Sequence, residues 1–465
     1  MRKGEIIDLH VEDLAFGGKA VARAEGMVVF IDAAVPGDFV RARITRRKPQ
    51  YAEAVIEQIL ELSPARQQPA CRHFGTCGGC KWQYLPYQEQ LKYKQQHAAD
   101  ALRHIGRNSS FIAHPILPSP QPWHYRNKME FSFGSSPSGS IEVGLHQKGD
   151  FRRIVNIEQC MIQPSVLDDV LGYLRDEINQ GALENSQRLT PYNNRNHTGF
   201  LRHLVMRHSH SSGQFLVALI TASGAWPELE SITGRFTARF PACGGFLWGV
   251  NDGLSDVARI ESLRFMKGDG FIEERLNHQT FRVSAFSFFQ TNTAGAELLY
   301  DTVRQYCELE GSENVLDAYC GTGTIGIHLS RYARSVTGIE LVPQAVDDAR
   351  CNAVINNAQN CTFIAADMRS ALRSLSASSQ PHFDRIVVDP PRGGMDKKAL
   401  RMLIELGAPL IVYVSCNPTT LARDLVTLAE GGYEPEDVQP VDMFPHTYHV
   451  ESVVKFRRCS QVAPA

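Results

Sequence analysis

From about residue 281 onward, short apolar runs alternate with helical stretches, and this alternation restricts the fold more than any other feature of the chain. The runs are NVLDAY, SVTGIE, CTFIAAD, DRIVVD and LIVYVSC. Segments such as TIGIHLSRYA, PQAVDDARCNAVINN and TTLARDLVTLAEGG separate them, and VQPVDMF and VESVVKFRR follow. Apolar strands joined by amphipathic helices imply a parallel sheet covered on both faces. The expectation for residues 281–465 is therefore a doubly wound α/β domain, with its last two strands closing the sheet.

In such a sheet, ligands bind outside the carboxyl ends of the strands. The first strand runs into DAYCGTGTIG, where Gly321, Gly323 and Gly326 form G-x-G-x-x-G. Glycines there let the backbone approach a ligand, and the turn suits a dinucleotide or S-adenosylmethionine equally. The next four strands end in Glu340, Asp367, Asp389 and Cys416. Glu340 is placed to accept from ribose hydroxyls. Asp367 could hold an adenine amino group or cap the following helix. DPPRGG, 389–394, gives a rigid rim lined by carbonyls, which suits methyl transfer better than hydride transfer.

Cys416 lies in SCNP, between a buried strand and a helix start near Thr419. A thiol beside the cofactor crevice and near a helix N-terminus is a candidate nucleophile. Cys320, inside the glycine turn, is expected to pack or to border the cofactor. A thiolate adding to C6 of a uracil makes C5 able to accept a methyl group, and a base must then remove the C5 proton. Glu451, in DMFPHTYHVES, is the downstream carboxylate for that task. His446 and His449 are expected to position the loop.

Residues 1–60 alternate apolar runs with the turn signals Gly17-Gly18 and Pro36-Gly37, as in a small β-barrel that binds oligonucleotides. Arg41, Arg43, Arg46, Arg47 and Lys48 follow one another without an intervening acid, and read as a stripe contacting phosphates. Because the 465-residue chain has a formal net charge of −2, any nucleic-acid surface has to be local. Residues 61–280 read as an α+β domain. It has a helix over 84–106, hairpins over 127–147 and 203–221, and a polar loop over 185–199. WHYRNK and FLRHLVMRH in this region would suit base stacking and phosphate contacts.

CRHFGTCGGCKWQ sets Cys71, Cys77 and Cys80 in a C-x5-C-x2-C pattern. Three thiols so close together point to a metal or a cluster, with Cys160 as the candidate fourth ligand. Spacing leaves zinc and iron–sulfur both open. Eleven cysteines in all, an odd number, argue against a disulfide framework. The N-terminus has no signal-peptide pattern and the apolar runs are too short to span a bilayer, so a cytoplasmic protein is expected.

QTN at 290–292, DAYCGTGTIG, DPPRGG, SCNP and DMFPHTYHVE, in that order, resemble the RNA uracil-C5 methyltransferase family. Residues 1–60 resemble its TRAM domain. The resemblance implies a Rossmann-like class I methyltransferase domain behind a TRAM/OB-like barrel. It implies that Gln290, Tyr319, Glu340 and Asp389, with Asp367, bind S-adenosylmethionine, that Cys416 is the nucleophile and that Glu451 is the base. Thr324 departs from relatives that have an asparagine there. The resemblance also implies a 4Fe–4S cluster on Cys71, Cys77, Cys80 and Cys160. The implied partner is RNA, 23S ribosomal RNA ahead of transfer RNA, with no membrane and no protein partner. The competing readings are a tRNA uracil-C5 or an RNA cytosine-C5 methyltransferase, a nicotinamide oxidoreductase, and a scaffold that binds RNA without catalysis.

Overall fold

A computed structural model describes residues 1–184, 189–377 and 382–459. The first five strands close into a barrel, β1-β2-β3-β5-β4. They are β1 (Ile6–Leu14), β2 (Ala20–Ala24), β3 (Met27–Ile31), β4 (Phe39–Arg47) and β5 (Tyr51–Glu61). Alternate residues of β4 point inward, and Val40, Ala42 and Ile44 fill the barrel. The arginines between them face out, but not as an open cationic stripe. Arg41 pairs with Asp8 at 2.8 Å and Arg43 with Glu57 at 2.6 Å, both on neighbouring strands. Arg47 and Lys48 carry no ion pair among the described residues.

Past the cysteine segment come α1 (Tyr87–Asp100), a π-helical turn (Ala101–Ile105) and the short strand β6 (Ile112–Ala113). The middle of the chain builds a seven-stranded sheet. Its strands are β7 (Lys128–Ser135), β8 (Ile141–Gln147), β9 (Asp150–Asn156), β10 (Leu201–His208), β11 (Phe215–Thr221), β12 (Cys243–Val250) and β13 (Ser262–Gly268). Their order is β13-β12-β11-β10-β7-β8-β9, with helices α2 (Ser165–Glu184) and α3 (Leu229–Arg239) between strands in the chain. The expected hairpins are β7-β8 and β10-β11. The expected polar loop over 185–199 lies outside the described residues at 185–188. A separate hairpin, β14 (Phe271–Leu276) and β15 (Gln279–Ser284), then leads into α4 (Thr293–Cys307).

The last sheet begins with β16 (Asn314–Ala318), α5 (Thr324–Ser330), β17 (Ser335–Glu340), α6 (Pro343–Ile355), β18 (Cys361–Ala365) and α7 (Met368–Ala377). It continues with β19 (Arg385–Val388), α8 (Lys397–Glu405), β20 (Leu410–Ser415), α9 (Pro418–Glu430), β21 (Tyr433–Val441) and β22 (Glu451–Arg458). Strand order is β18-β17-β16-β19-β20-β22-β21-β6, with only β22 antiparallel to its neighbours. Alternate strand residues enter two separate cores. Val315, Val387 and Val412 pack with α4–α6, while Leu316, Ile386 and Ile411 pack with α7–α9. Burial on both faces explains why these strands read as continuous apolar runs. The fold is thus a Rossmann-like α/β domain, an N-terminal barrel and an α+β centre. The sequence pattern did not reveal β6, which joins the sheet from the far side of α1.

Candidate active site

The glycine turn leaves β16 through Tyr319, whose φ of 66° is left-handed and strained for a residue with a side chain. Gly323 has φ 78°, and a Cβ there would come within 2.9 Å of Phe363 and 3.0 Å of Ala349. Only glycine fits, so the backbone stays low enough to admit a ligand above it. Glu340, the last residue of β17, fixes the turn from the side. One carboxylate oxygen accepts from Gly321 N at 3.1 Å and the other from Val342 N at 2.9 Å. Each oxygen keeps a lone pair for a ribose hydroxyl. Thr322 Oγ1 donates to Phe288 O at 3.0 Å, tying the turn to the segment that carries Gln290. Gln290 is buried, and its carbonyl accepts from Asn127 Nδ2 at 2.9 Å. Asp367 is exposed beyond β18, and its carboxylate accepts from Arg369 N and Ser370 N at the start of α7. The cap that the sequence left as an alternative is therefore formed, on one of its two oxygens.

Asp389 follows β19 and Cys416 follows β20, at the same edge of the sheet. Ser415 and Asn417 hold Cys416 between them. Ser415 Oγ donates to Asn417 O, and the Asn417 side chain caps α9 by accepting from Thr419 N at 3.1 Å. Strand β22 runs the opposite way, so its first residue, Glu451, arrives at this edge too. Ser415 pairs with Ser452, which sets Cys416 and Glu451 opposite each other one step beyond the ladder.

The site is acidic, with Glu451 buried and Asp389 and Cys416 half-buried. Burial pushes the Asp389 carboxyl up to about 7. Burial, then the charges of Glu451 and Asp389, push the Cys416 thiol up to about 12, with Arg392 pulling the other way. Burial and Asp389 likewise raise Glu451 well above the carboxylate range. At neutral pH the free protein therefore keeps the Cys416 thiol protonated, although Cys416 lies close to a helix N-terminus, because desolvation outweighs that helix. His446 is pushed down to about 3 and His449 to about 4, both chiefly by burial, so each is neutral.

The loop between β21 and β22 is tied to distant parts of the chain. Lys94, on α1, pairs with Asp442 at 2.6 Å, both fully buried. Tyr125 Oη donates to Pro445 O at 3.1 Å. Lys94 carried no local sequence signal, and Tyr125, in WHYRNK, read as a group for contacting RNA and not this loop.

Cys71, Cys77, Cys80 and Cys160 line one cavity of about 30 Å³, closed by Leu145, Ile157 and Ile162. Gly78 N donates to His146 O at 3.0 Å, and a Cβ on Gly78 would also meet that oxygen at 3.0 Å. Burial, with the charges of Cys160, Cys77 and Cys71, pushes the Cys80 thiol up to about 12. Among the described residues, no three His, Cys, Asp or Glu side chains are arranged to hold a metal ion.

Known proteins place this geometry in a family. The model of the tRNA (Uracil-5-)-methyltransferase family matches residues 253–459, and that of the TRAM domain matches residues 2–56. An uncharacterized RNA methyltransferase of Bacteroides thetaiotaomicron is 40% identical over 457 residues, 95% of this chain and 99% of that one. The chain belongs to the RNA uracil-C5 methyltransferases. A second relative of this methyltransferase, an uncharacterized RNA methyltransferase of Chlorobaculum tepidum, is 38% identical over 476 residues, covering 98% and 97% of the two chains. Among solved structures, the Pyrococcus abyssi tRNA (uracil-54, C5)-methyltransferase in complex with S-adenosyl-L-homocysteine is 28% identical. It superposes with a TM-score of 0.75 and covers 97% of this methyltransferase and 100% of its own chain. The methyltransferase thus depends on S-adenosylmethionine and acts on RNA. No helix among its described residues is long and apolar enough to cross a membrane.

Proposed function

We propose that the chain makes 5-methyluridine by covalent catalysis through Cys416, with Glu451 as the base. The juxtaposition of Cys416 and Glu451 at the cofactor edge of the sheet carries this reading. The Cys416 thiol gives up its proton to solvent, its sulfur bonds to uracil C6, and the C5=C6 electron pair moves onto C5. S-adenosylmethionine supplies the methyl group that C5 takes up. C5 then holds both the methyl group and its original hydrogen. The Glu451 carboxylate accepts that hydrogen as a proton, the C5=C6 bond reforms, and the sulfur leaves C6. The base has to leave its stack to reach Cys416, so the barrel and the central sheet would hold the surrounding RNA. Gln290, Tyr319, Glu340 and Asp389 would line the cofactor site, with Asp367 at its outer edge.

The four cysteines would hold a 4Fe–4S cluster as a structural tie. Their convergence on one apolar cavity supports it, since such a cluster takes one thiolate per iron. Iron and sulfide content after anaerobic purification tests this. Two zinc-free irons or fewer per chain would count against it.

The proposed substrate is 23S ribosomal RNA, because a TRAM-like barrel joined to such a cysteine set resembles the large-subunit enzymes. A transfer RNA is the second reading, favoured by the likeness to the Pyrococcus abyssi enzyme over nearly the whole chain. Mass mapping of 5-methyluridine in both RNA classes, from cells with and without the protein, separates the two. Loss of 5-methylcytidine instead would overturn the uracil assignment.

A further inference from the structure

The loop over 442–450 ends at Glu451 and is longer than most connections between antiparallel strands. Such a loop wanders unless it is tied down. Its central residue, His446, has φ 66°, a left-handed conformation that needs support. Three elements supply it. Lys81 N and Trp82 N both donate to His446 O at 3.0 Å. Gln90 Oε1 accepts from His446 N at 2.9 Å, and Gln90 Nε2 meets His446 Nδ1 at 3.2 Å. Trp123 stacks on the imidazole, with ring centres 3.6 Å apart and planes 20° apart.

Lys81 directly follows Cys80, which lines the four-thiol cavity. The cavity's exit turn is therefore bonded to the loop five residues before Glu451. Cys416 is held differently, from its own strand and helix through Ser415 and Asn417. The two halves of the site thus hang from separate supports.

We propose that the Lys81-Trp82 turn, Gln90 and Trp123 form a positioning clamp on His446 that places Glu451, so that order in the four-thiol cavity governs proton removal and not thiol addition. The inference rests on Glu451 being the base. Misplacing a general base by about 1 Å costs on the order of 10²-fold.

The test uses the full chain with uridine RNA and S-adenosylmethionine. Gln90→Leu, Trp123→Ala and Cys80→Ser are compared with Trp123→Phe, which retains a stacking ring. The clamp variants should attach and methylate RNA at close to the unaltered rate but release it about 10²-fold more slowly, so that a methylated protein–RNA adduct builds up on denaturing gels. Trp123→Phe should restore release. Amide exchange over 442–450 should quicken in Gln90→Leu while β16–β20 stay protected. Attachment and release slowed equally, or loop exchange left unchanged, overturns the clamp. Glu451→Gln, run alongside, separates the two ideas. An adduct in Glu451→Gln but in none of the clamp variants refutes the clamp alone, and no adduct in Glu451→Gln removes the base assignment beneath it.

Discussion

Ser415 pairs with Ser452 across antiparallel strands β20 and β22, and this one pairing sets Cys416 opposite Glu451. Residues so placed share a face of the sheet and stay within reach of each other. The two side chains also feel each other electrostatically, because the Glu451 charge helps to hold the Cys416 thiol up. A slip of either strand by one residue would turn that strand's side chain to the opposite face and part the two.

The pair gives two variants with opposite signatures. Cys416→Ala should lower turnover by about 10⁴-fold or more and form no adduct with 5-fluorouridine RNA. Glu451→Gln should lose turnover too, yet trap ordinary uridine RNA on the protein, because C5 keeps its proton. Denaturing gels and intact mass read both. Turnover retained in Cys416→Ala would remove the nucleophile assignment.

The thiol's environment predicts how it reacts in the free protein. An ordinary cysteine ionises near 8.5, whereas burial, Glu451 and Asp389 push Cys416 up to about 12. Its thiolate fraction should therefore rise about tenfold per pH unit between pH 7 and 10, with no plateau. Iodoacetamide labelling of the Cys416 peptide, followed by mass, should climb in step. Arg392 acts in the opposite direction, so Arg392→Ala should slow labelling at every pH in this range. A plateau near pH 9 would contradict the buried, acidic site described above.

The sheet and the edge of its site were legible because burial on both faces writes each strand as an apolar run, so the residue that ends a run marks the carboxyl edge. Glu340, Asp389 and Cys416 could be placed in that way. What could not be read depends on partners remote in sequence. Arg41 and Arg43 look unopposed along β4, but Asp8 and Glu57 meet them from adjacent strands. Lys94 and Asp442 lie 348 residues apart; Asp442 opens DMFPHTYHVE, but nothing in that motif names a lysine on α1 as its partner. Gln90 has no periodicity that sets it apart from ordinary helix residues, and Trp123, in WHYRNK, suggested stacking on RNA and not on His446.

The barrel's ion pairs change which of its cations should contact RNA. Arg41 and Arg43 are engaged, whereas Arg47 and Lys48 are exposed and unpaired among the described residues. Each cation that neutralises a phosphate adds about 1 to the slope of binding against salt. Arg47→Ala with Lys48→Ala should thus weaken RNA binding and flatten that slope by about 2. Arg41→Ala with Arg43→Ala should do less. Filter binding across a salt series measures both, and equal effects would mean that the ion pairs open when RNA arrives.

Asp317 predicts how stability depends on pH. It is fully buried in β16, where no hydrogen bond of good geometry reaches either carboxylate oxygen and the nearby Gly326 N–H offsets only part of the burial. A Cβ on Gly326 would come within 2.9 Å of one of those oxygens, so the carboxyl is packed closely beneath the glycine turn. Burial, joined by the charges of Asp389 and Glu340, pushes it up to about 8. An unfolded aspartate releases its proton near 3.9. Between about pH 4 and about 8 the folded chain therefore holds a proton that the unfolded chain has lost, and stability falls as pH rises, by at most about 1.4 kcal/mol per pH unit for this group. Asp389, pushed up to about 7, contributes with the same sign up to that pH. Asp317→Asn keeps the shape and removes the ionisation. Denaturant titrations at pH 7 and 8, where Asp389 adds little, should show the unaltered chain losing stability and the variant losing less. Parallel pH profiles would mean that Asp317 is already ionised within the fold.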